Sequence, residues 1–406
     1  MMAGCCSRWA AILAALLLAM PVSAAAQDSR ALAQAYNQSG HELFRKLSAE
    51  PGNVVLSPLS IGTAMAMVLT GARGETEAEM RRVLRHSLSR QAIDAANAKF
   101  LAALSAAAPD AADATAQLRI ANALMLVNPA ATVADSYQDT IRTIYGAEIF
   151  KNVDLATVNA FVKDKTEGKI PSIIERLSPQ DSHVLLNAVY FKAPWARPFA
   201  RNATQERPFH LTRAETADVA AMWQSASFPV EKADGYRAIR LPYAREGLSM
   251  IVILPDAIDG IDTVMAGFDA TKFERLLKRL AAAEPRPLQL SLPKFKFEFA
   301  ADLIPPFTAL GMSKVFDPSQ SDLSGLTGLP REQAQSSIDQ IAHRAVIEVA
   351  EEGTEAAAAT AVVVTTRAMK PGALERFDVD RPFAFVIADD KTGAVLFMGR
   401  VSDPRR

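Results

Sequence analysis

The chain has 406 residues, of which 50% are hydrophobic and 22% are charged. This balance supports a large buried core and excludes an intrinsically disordered protein. Its 44 basic and 45 acidic residues give a formal net charge of −1 at pH 7, so the charge indicates neither a nucleic acid nor an anionic membrane as a partner.

The first residues have the pattern of a secretory signal. An arginine precedes an apolar run from Ala10 to Met20, and small residues follow it. The run is too short to anchor the protein across a bilayer, and the small residues predict cleavage after Ala24 or Ala26. We therefore expect residues 1–26 to be removed. Residues 27–406 would then form a single secreted domain, either in a periplasm or outside the cell.

Both cysteines, Cys5 and Cys6, lie inside this signal. The mature chain would then contain no disulfide and no cysteine metal site. The five histidines show no metal-ligand spacing. We therefore expect no metal and no cofactor, and a stability that comes from the hydrophobic core, which a chain of this length can supply.

Helices dominate the first half of the mature chain. Ser57 is a suitable N-cap and Pro58 a suitable first residue for a helix that runs through Ala72, and apolar residues on most sides of that helix predict that it is buried. Other helices are predicted over residues 29–47, 75–84, 91–104, 137–145 and 158–167, with short strands over 54–56, 118–127 and 148–153. Residues 105–116, rich in alanine and aspartate, are expected to form a helix end and a loop. The strand predicted over residues 183–193 is apolar on both faces, which is typical of a central strand.

Strands dominate the second half of the chain. They are predicted over residues 219–230, 236–242, 248–254, 288–299, 338–350, 383–387 and 395–401, with one helix over 272–283. No linker rich in glycine, serine or proline divides the two halves, and the sequence contains no internal repeat. We therefore expect one α+β domain with several sheets.

The segment from Glu351 to Ala368 has an unusual composition. It contains one glycine, then small and β-branched residues, then a single arginine, Arg367. Read with a period of two, one face consists of uncharged residues only: Thr354, Ala356, Ala358, Thr360, Val362 and Val364. Such a face can lie against an apolar core as a strand, although the alanines alone favour a helix. We interpret the segment as an exposed loop that can change conformation, with an alanine-rich surface helix or an ordinary linker as the alternative.

The sequence resembles the serpins over nearly its whole length, from about Ala31 to Pro404. The matching blocks stand in family order, beginning with Asn-Val-Val-Leu-Ser-Pro-Leu-Ser at 53–60, Thr-Glu-Gly-Lys-Ile at 166–170 and Leu-Asn-Ala-Val-Tyr-Phe-Lys-Ala-Pro-Trp at 186–195, and continuing at 310–312, 315–317, 351–359, 380–383 and 396–401. The resemblance implies the serpin fold, an α+β fold with three β-sheets, eight to nine helices and an exposed reactive-centre loop.

The resemblance also implies a function, which is suicide inhibition of serine peptidases, or in some members of cysteine peptidases, and no enzyme activity. The protease cuts the loop and forms an acyl-enzyme, and the cut loop then inserts as a new strand into the main sheet, as strain stored in the fold is released. The intact fold is therefore expected to be metastable. A non-inhibitory serpin that acts as a carrier or chaperone is the alternative, although the face that could lie against the core here lacks the bulky, charged or proline residues frequent in the hinge of such members.

The resemblance assigns the parts of the loop residue by residue. The hinge comprises Glu351, Glu352, Gly353, Thr354, Glu355, Ala356, Ala357, Ala358 and Ala359. Counting seventeen residues from Glu351 implies a reactive bond between Arg367 and Ala368. The buried carboxylate of a trypsin-like pocket can bind the arginine in bidentate geometry, so the expected partner is a trypsin-like serine peptidase, bound by a monomer. Lys370 is the nearest rival, but Pro371 after it makes that bond a poor substrate.

Polar residues also match the family pattern beneath the main sheet. Ser57, Ser60, Asn187 and His343 correspond to the shutter, and Trp195 to the breach, where the loop first enters the sheet. A catalytic role for either serine with His343 is the alternative, but neither serine lies in a nucleophile motif such as Gly-x-Ser-x-Gly. We therefore expect a buried, hydrogen-bonded cluster.

Two weaker signals concern the surface and a helix boundary. Arg81, Arg82, Arg85 and Arg90 lie near the helix that binds glycosaminoglycans in some serpins. A solvated helix face is the preferred interpretation, and glycosaminoglycan binding is the alternative. Pro305 and Pro306 stand where the family starts a short helix, and because proline is tolerated in a first turn we expect only a shifted boundary.

Overall fold

The computed structural model describes residues 24–105, 116–178, 181–333, 336–354 and 374–406. Three segments named from the sequence therefore lie wholly or largely outside the described residues: the predicted signal, the predicted helix end and loop at 105–116, and residues 355–373. The last of these contains the hinge residues from Glu355 to Ala359 and the predicted reactive bond between Arg367 and Ala368.

Ten α-helices occur in the described residues. They are α1 (Ala24–Leu47), α2 (Pro58–Gly71), α3 (Gly74–Val83), α4 (Arg90–Ser105), α5 (Asp135–Tyr145), α6 (Leu155–Lys165), α7 (Ile261–Ala266), α8 (Ala270–Ala282), α9 (Ile304–Ala309) and α10 (Ser324–Thr327). The family resemblance implied eight to nine. The sequence pattern itself predicted seven of them, because α7, α9 and α10 have only four to six residues, too few to show a helical period in the sequence. Pro305 and Pro306 lie in the first turn of α9, as expected.

Sixteen strands occur in the same residues. They are β1 (Val54–Leu56), β2 (Gln117–Leu126), β3 (Glu148–Lys151), β4 (His183–Pro194), β5 (Gln205–His210), β6 (Thr216–Phe228), β7 (Val230–Ala233), β8 (Tyr236–Pro242), β9 (Leu248–Pro255), β10 (Arg286–Pro293), β11 (Phe295–Asp302), β12 (Ile338–Ala350), β13 (Gly353–Thr354), β14 (Glu375–Asp378), β15 (Phe383–Asp389) and β16 (Ala394–Val401).

The strands form three sheets, as the resemblance implied. Their orders are β1-β16-β15-β9-β8-β7, β14-β10-β6-β5 and β11-β12-β13-β4-β2-β3. The third is called the main sheet below. The long apolar strand predicted near residue 183 is β4, and it lies in the interior of the main sheet, as its composition predicted.

Two strands predicted as continuous are divided between different sheets. The predicted strand at 288–299 is β10 followed by β11, and the predicted strand at 219–230 is β6 followed by β7. A proline marks each division: Pro293 is the last residue of β10, and Pro229 lies between β6 and β7. Proline has no amide hydrogen to continue a ladder, so the chain leaves one sheet there while the apolar pattern continues.

The main sheet is buried on both faces near its centre. Helix α2 lies on one side and is buried along nearly all its length, and Ser57 caps it by accepting a hydrogen bond of 3.0 Å from the amide of Ser60. On the other side, Val158 and Val162 of α6 pack against apolar residues of β2, β4 and β12. In the described part of the chain, no helix is both long and apolar enough to cross a bilayer.

Candidate functional site

At the carboxyl ends of β12 and β4, the main sheet contains a strand of only two residues, β13. Thr354 pairs with Val349 of β12 on one side and with Ala193 of β4 on the other, antiparallel to both. Towards their amino ends, β12 and β4 pair directly with each other in a parallel ladder, whose pair nearest to β13 is Val346 with Tyr190. This point, at which β13 separates β12 from β4, is the fork. Gly353 and Thr354, the third and fourth residues of the assigned hinge, are therefore already a strand of the sheet.

Gly353 approaches β4 so closely that no side chain fits there. Its φ is +156°, and a Cβ atom built on it would lie 2.1 Å from the carbonyl oxygen of Ala193 and 2.6 Å from Cα of Pro194. Both neighbours are backbone atoms, which cannot rotate away. Glycine at position 353 is thus required for β13 to pair at the fork.

The turn before β13 is fixed by the carboxylate of Glu351, whose side chain is buried. One of its oxygens accepts a hydrogen bond of 2.7 Å from Thr204 Oγ1, and the other forms an ion pair of 2.9 Å with Lys294 Nζ. Burial opposes ionisation of Glu351, but the hydrogen bonds from Lys294 and Thr204 outweigh it and hold the pKa of the carboxyl below its usual value. Glu351 is therefore ionised at neutral pH and joins the turn to two neighbouring segments.

Trp195 lies directly against the same turn. Its indole Nε1 donates to the carbonyl oxygen of Ala350 at 3.0 Å, and its amide donates to the carbonyl oxygen of Glu352 at 2.8 Å. The sequence predicted that Trp195 stands where the loop enters the sheet, and the structure places it beside the first hinge residues.

Tyr243 completes the contacts at the fork, and no sequence pattern had indicated it. Its ring stacks on Trp195 with centroids 4.6 Å apart and planes at 7°. Its hydroxyl oxygen lies 2.6 Å from Oγ1 of Thr354, and both residues are buried. Burial raises the pKa of Tyr243, so the phenol stays protonated and can donate.

The four predicted shutter residues are brought together where the start of α2 meets β4 and β12 of the main sheet. Asn187 Nδ2 donates to the carbonyl oxygen and Oγ of Ser60 at 3.1 and 2.7 Å, and to Oδ1 of Asn122 at 2.6 Å. Asn187 Oδ1 lies 2.6 Å from His343 Nδ1. Since the Nδ2 hydrogens of Asn187 go elsewhere, Oδ1 is the acceptor and His343 Nδ1 carries the proton. Asn122 is a member of this cluster that the sequence analysis missed.

The geometry of the cluster does not resemble a catalytic site. His343 bonds to Asn187 rather than to a serine, and Ser57 Oγ is used as a helix cap. Burial lowers the pKa of His343 to about 3, so the imidazole is neutral at physiological pH. A nucleophile needs a base within hydrogen-bond reach, so the arrangement favours the structural interpretation over a catalytic role for either serine.

The four arginines considered for glycosaminoglycan binding have partners within the chain. Arg81 and Arg90 bind Glu77, Arg82 donates to the carbonyl oxygen of Gly311, and Arg85 pairs with Glu42. These contacts favour the interpretation as an ordinary, paired helix surface. Within the described ranges, no group of three or more His, Asp or Glu side chains is placed to hold a metal ion.

Comparison with known proteins identifies relatives over most of the chain. The family model described as Serpin (serine protease inhibitor) matches residues 34–404. The human leukocyte elastase inhibitor is 34% identical, and the match covers 92% of this chain and 99% of the human protein. A serpin-like protein of Thermococcus kodakarensis is also 34% identical, over 93% of this chain and 87% of the relative. The crystal structure of Serpin48, from the insect Tenebrio molitor, superposes with a TM-score of 0.78 at 28% identity, over 92% and 98% of the two chains.

Proposed function

This chain belongs to the serpin family of serine protease inhibitors, and we propose that it is a suicide-type inhibitor of trypsin-like serine peptidases. The protease cleaves between Arg367 and Ala368 and forms an acyl-enzyme, and the segment after Thr354 then inserts between β12 and β4. The observation that carries this proposal is the fork, because there the hinge has already begun a strand in the sheet that must accept the loop.

The register at the fork defines how far insertion can go. Gly353 and Thr354 face Pro194 and Ala193, so each later residue would pair one position lower on β4. Residue 364 would then reach His183, where β4 begins. From β13 to the first residue of β4 there is therefore room for ten further residues, 355–364. Arg367 would lie three positions past His183, outside β4.

The side chains of the inserting segment suit this register. Thr354 faces the core, so every second residue after it would face the core too: Ala356, Ala358, Thr360, Val362 and Val364. None is charged and none is bulkier than valine. Thr360 would come level with Asn187 and His343, and Nε2 of His343 is buried without a hydrogen-bond partner in the described structure.

The hydrogen-bond balance favours insertion. The parallel ladder between β12 and β4 joins eight residue pairs, and insertion would replace it with two antiparallel ladders along the same strands. Antiparallel pairing is also slightly more stable per residue. On the order of ten new backbone hydrogen bonds at about 1 kcal/mol each would release roughly 10 kcal/mol, which is comparable with the stability of a whole domain. The intact chain would thus be kinetically trapped.

Specificity rests on a different observation from the mechanism. Arg367 alone supports a trypsin-like target, because a guanidinium pairs with a buried carboxylate. The name of the relatives, leukocyte elastase inhibitor, supports a peptidase as the partner without supporting that preference. A cysteine peptidase is the alternative target, and a carrier or chaperone function is the alternative to inhibition.

We further propose that residues 1–26 are an export signal and that the mature chain acts as a secreted monomer. The apolar run from Ala10 to Met20 and the small residues after it support export. N-terminal sequencing of the protein recovered from the medium and the periplasm tests this, and a mature protein that still begins at Met1 would contradict it.

Incubation with trypsin and with a panel of trypsin-like peptidases tests inhibition. We expect a covalent complex that survives SDS and a released peptide whose first residue is Ala368. Arg367→Ala should abolish the complex with trypsin, whereas Lys370→Ala, three residues away, should leave it unchanged. Clean cleavage of the wild type without any complex across the panel would reject the inhibitor proposal.

A further inference from the structure

We propose that Tyr243 is a positioning residue for loop insertion: its hydroxyl holds Thr354 in the main sheet before cleavage, and this contact raises the fraction of encounters that end with a trapped protease. The proposal rests on the proposed function, since it concerns the insertion step. It adds a residue to which neither the sequence pattern nor the family resemblance pointed.

Tyr243 is itself rigidly held. Its ring stacks on Trp195 and meets Phe191 edge-on at 5.5 Å. Its backbone forms a bridge with Trp195 and donates to the carbonyl oxygen of Leu248 at 2.9 Å. None of these contacts uses Thr354, so the hydroxyl of Tyr243 is positioned by neighbouring residues and Thr354 packs against it.

Each hydroxyl of the pair depends on the other. Thr354 and Tyr243 are both buried, and the 2.6 Å contact between their oxygens is the side-chain hydrogen bond that the structure gives to each. A buried hydroxyl that loses its partner is destabilising, whereas replacing both partners by apolar groups of the same shape is close to neutral. The hydrogen bond between the two hydroxyls therefore favours the conformation in which Gly353 and Thr354 are paired in the sheet over one in which they have left it.

Seating the hinge matters because insertion competes with hydrolysis of the acyl-enzyme. With β13 in place, residue 355 can add to an existing antiparallel template on both sides. Without it, the first step would have to part β12 from β4 before any new hydrogen bond formed. Insertion would start later, and more acyl-enzyme would hydrolyse in the meantime, although the protease would cut the loop at the same rate.

The test uses the full-length protein, a trypsin-like peptidase that it traps, and four variants. We expect Tyr243→Phe and Thr354→Val each to raise the stoichiometry of inhibition roughly fivefold, the factor set by one unpaired buried hydroxyl, with an unchanged rate of loop cleavage. The double variant should return towards the wild type, because no unpaired hydroxyl remains. Tyr137→Phe is the matched control. Tyr137 lies in α5, away from the fork; it is also buried, and its hydroxyl donates to the carbonyl oxygen of Met67 at 3.0 Å. It should leave the stoichiometry unchanged.

Hydrogen exchange provides a readout that needs no protease. The amides of Gly353 and Thr354 in the intact protein should exchange faster in Tyr243→Phe than in the wild type, and should not change in Tyr137→Phe. Unchanged exchange, an unchanged stoichiometry in Tyr243→Phe, or a double variant no better than the single variants would overturn the proposal. A wild type that traps no protease would instead reject the inhibitor function, while the exchange measurement would still decide whether Tyr243 holds the hinge.

Discussion

Asn187 Oδ1 lies 2.6 Å from His343 Nδ1, across the parallel ladder that joins β4 and β12. The same amide group also binds Ser60 at the start of α2 and Asn122 on β2. One buried side chain therefore connects the central helix with three strands. An inserting strand would have to pass between Asn187 and His343, so this hydrogen bond opposes opening of the intact sheet.

Asn187→Ala should destabilise the intact protein. The change leaves polar groups of Ser60, Asn122 and His343 buried without this partner, and we expect a loss of about 3 kcal/mol in the free energy of unfolding. Thermal unfolding of the uncleaved protein measures it. Asn202→Ala, at an exposed position, is the control and should change the melting temperature little. Equal melting temperatures for the two variants would contradict a role for the cluster in closing the sheet.

Thr354→Arg should convert the protein from an inhibitor into a substrate. The side chain of Thr354 is 0% exposed and faces Tyr243, so a guanidinium there would be buried without a counter-charge. The loop should still be cut, but no SDS-resistant complex should form. Thr354→Ser keeps the hydroxyl and the small volume, and it should inhibit normally. Continued trapping by the arginine variant at wild-type stoichiometry would mean that residue 354 does not enter the sheet.

Cleavage of the loop should raise the melting temperature. A gain of roughly 10 kcal/mol on insertion predicts a rise of at least about 10 °C for a domain of this size. The measurement compares intact and nicked wild type after cleavage within residues 355–370. Nicked Thr354→Arg serves as the control and should show no such rise. If the nicked wild type melts no higher than the intact protein, a carrier or chaperone function becomes the better interpretation.

Stability should fall on mild acidification. Burial lowers the pKa of His343 to about 3 and of His86 to about 4, and it lowers the pKa of His41 and His183 as well. In the unfolded chain, histidine takes up a proton near pH 6.5. Between about pH 6.5 and 4 the unfolded state therefore binds more protons, so the free energy of unfolding decreases as pH falls and is fully retained above this range.

Melting temperatures between pH 7.5 and 4.5 measure this dependence. The pH slope should be shallower in His343→Gln, since one of the buried histidines no longer titrates, whatever the effect of the change at neutral pH. A melting temperature that stays constant from pH 7.5 to 5 would show that these imidazoles are not kept neutral by the fold.

The sequence predicted a helix or strand well where the residues of that element alone defined it. Ser57 and Pro58 define the start of α2, and the apolar composition of β4 indicated its central position. The pattern failed where two strands follow one another without a turn, as on either side of Pro229 and Pro293. It also missed β5, β13 and β14, which have only two to six residues and are too short to show an alternating apolar pattern.

The candidate site was predictable only in part. Family resemblance named the shutter residues and Trp195, and the structure brings the former together and places the latter at the hinge. Tyr243, Asn122, Thr204 and Lys294 were missed, because each is a single polar or aromatic residue without a motif around it. Their partners lie far away along the chain: Tyr243 and Thr354 are 111 residues apart, and Thr204 and Glu351 are 147 apart. Such contacts exist only once the chain is folded.

The order of the strands gives the main sheet a built-in line of division. After Pro194 the chain builds strands of both other sheets, and it begins β12 only at Ile338. Each side keeps its own pairing, β4 with β2 and β12 with β11, and no turn ties β4 directly to β12. The part of the sheet that contains β4 and β2 and the part that contains β12 and β11 can therefore move apart while each keeps its own hydrogen bonds. Point substitutions can alter how readily the two sides separate, but they leave this chain connectivity unchanged.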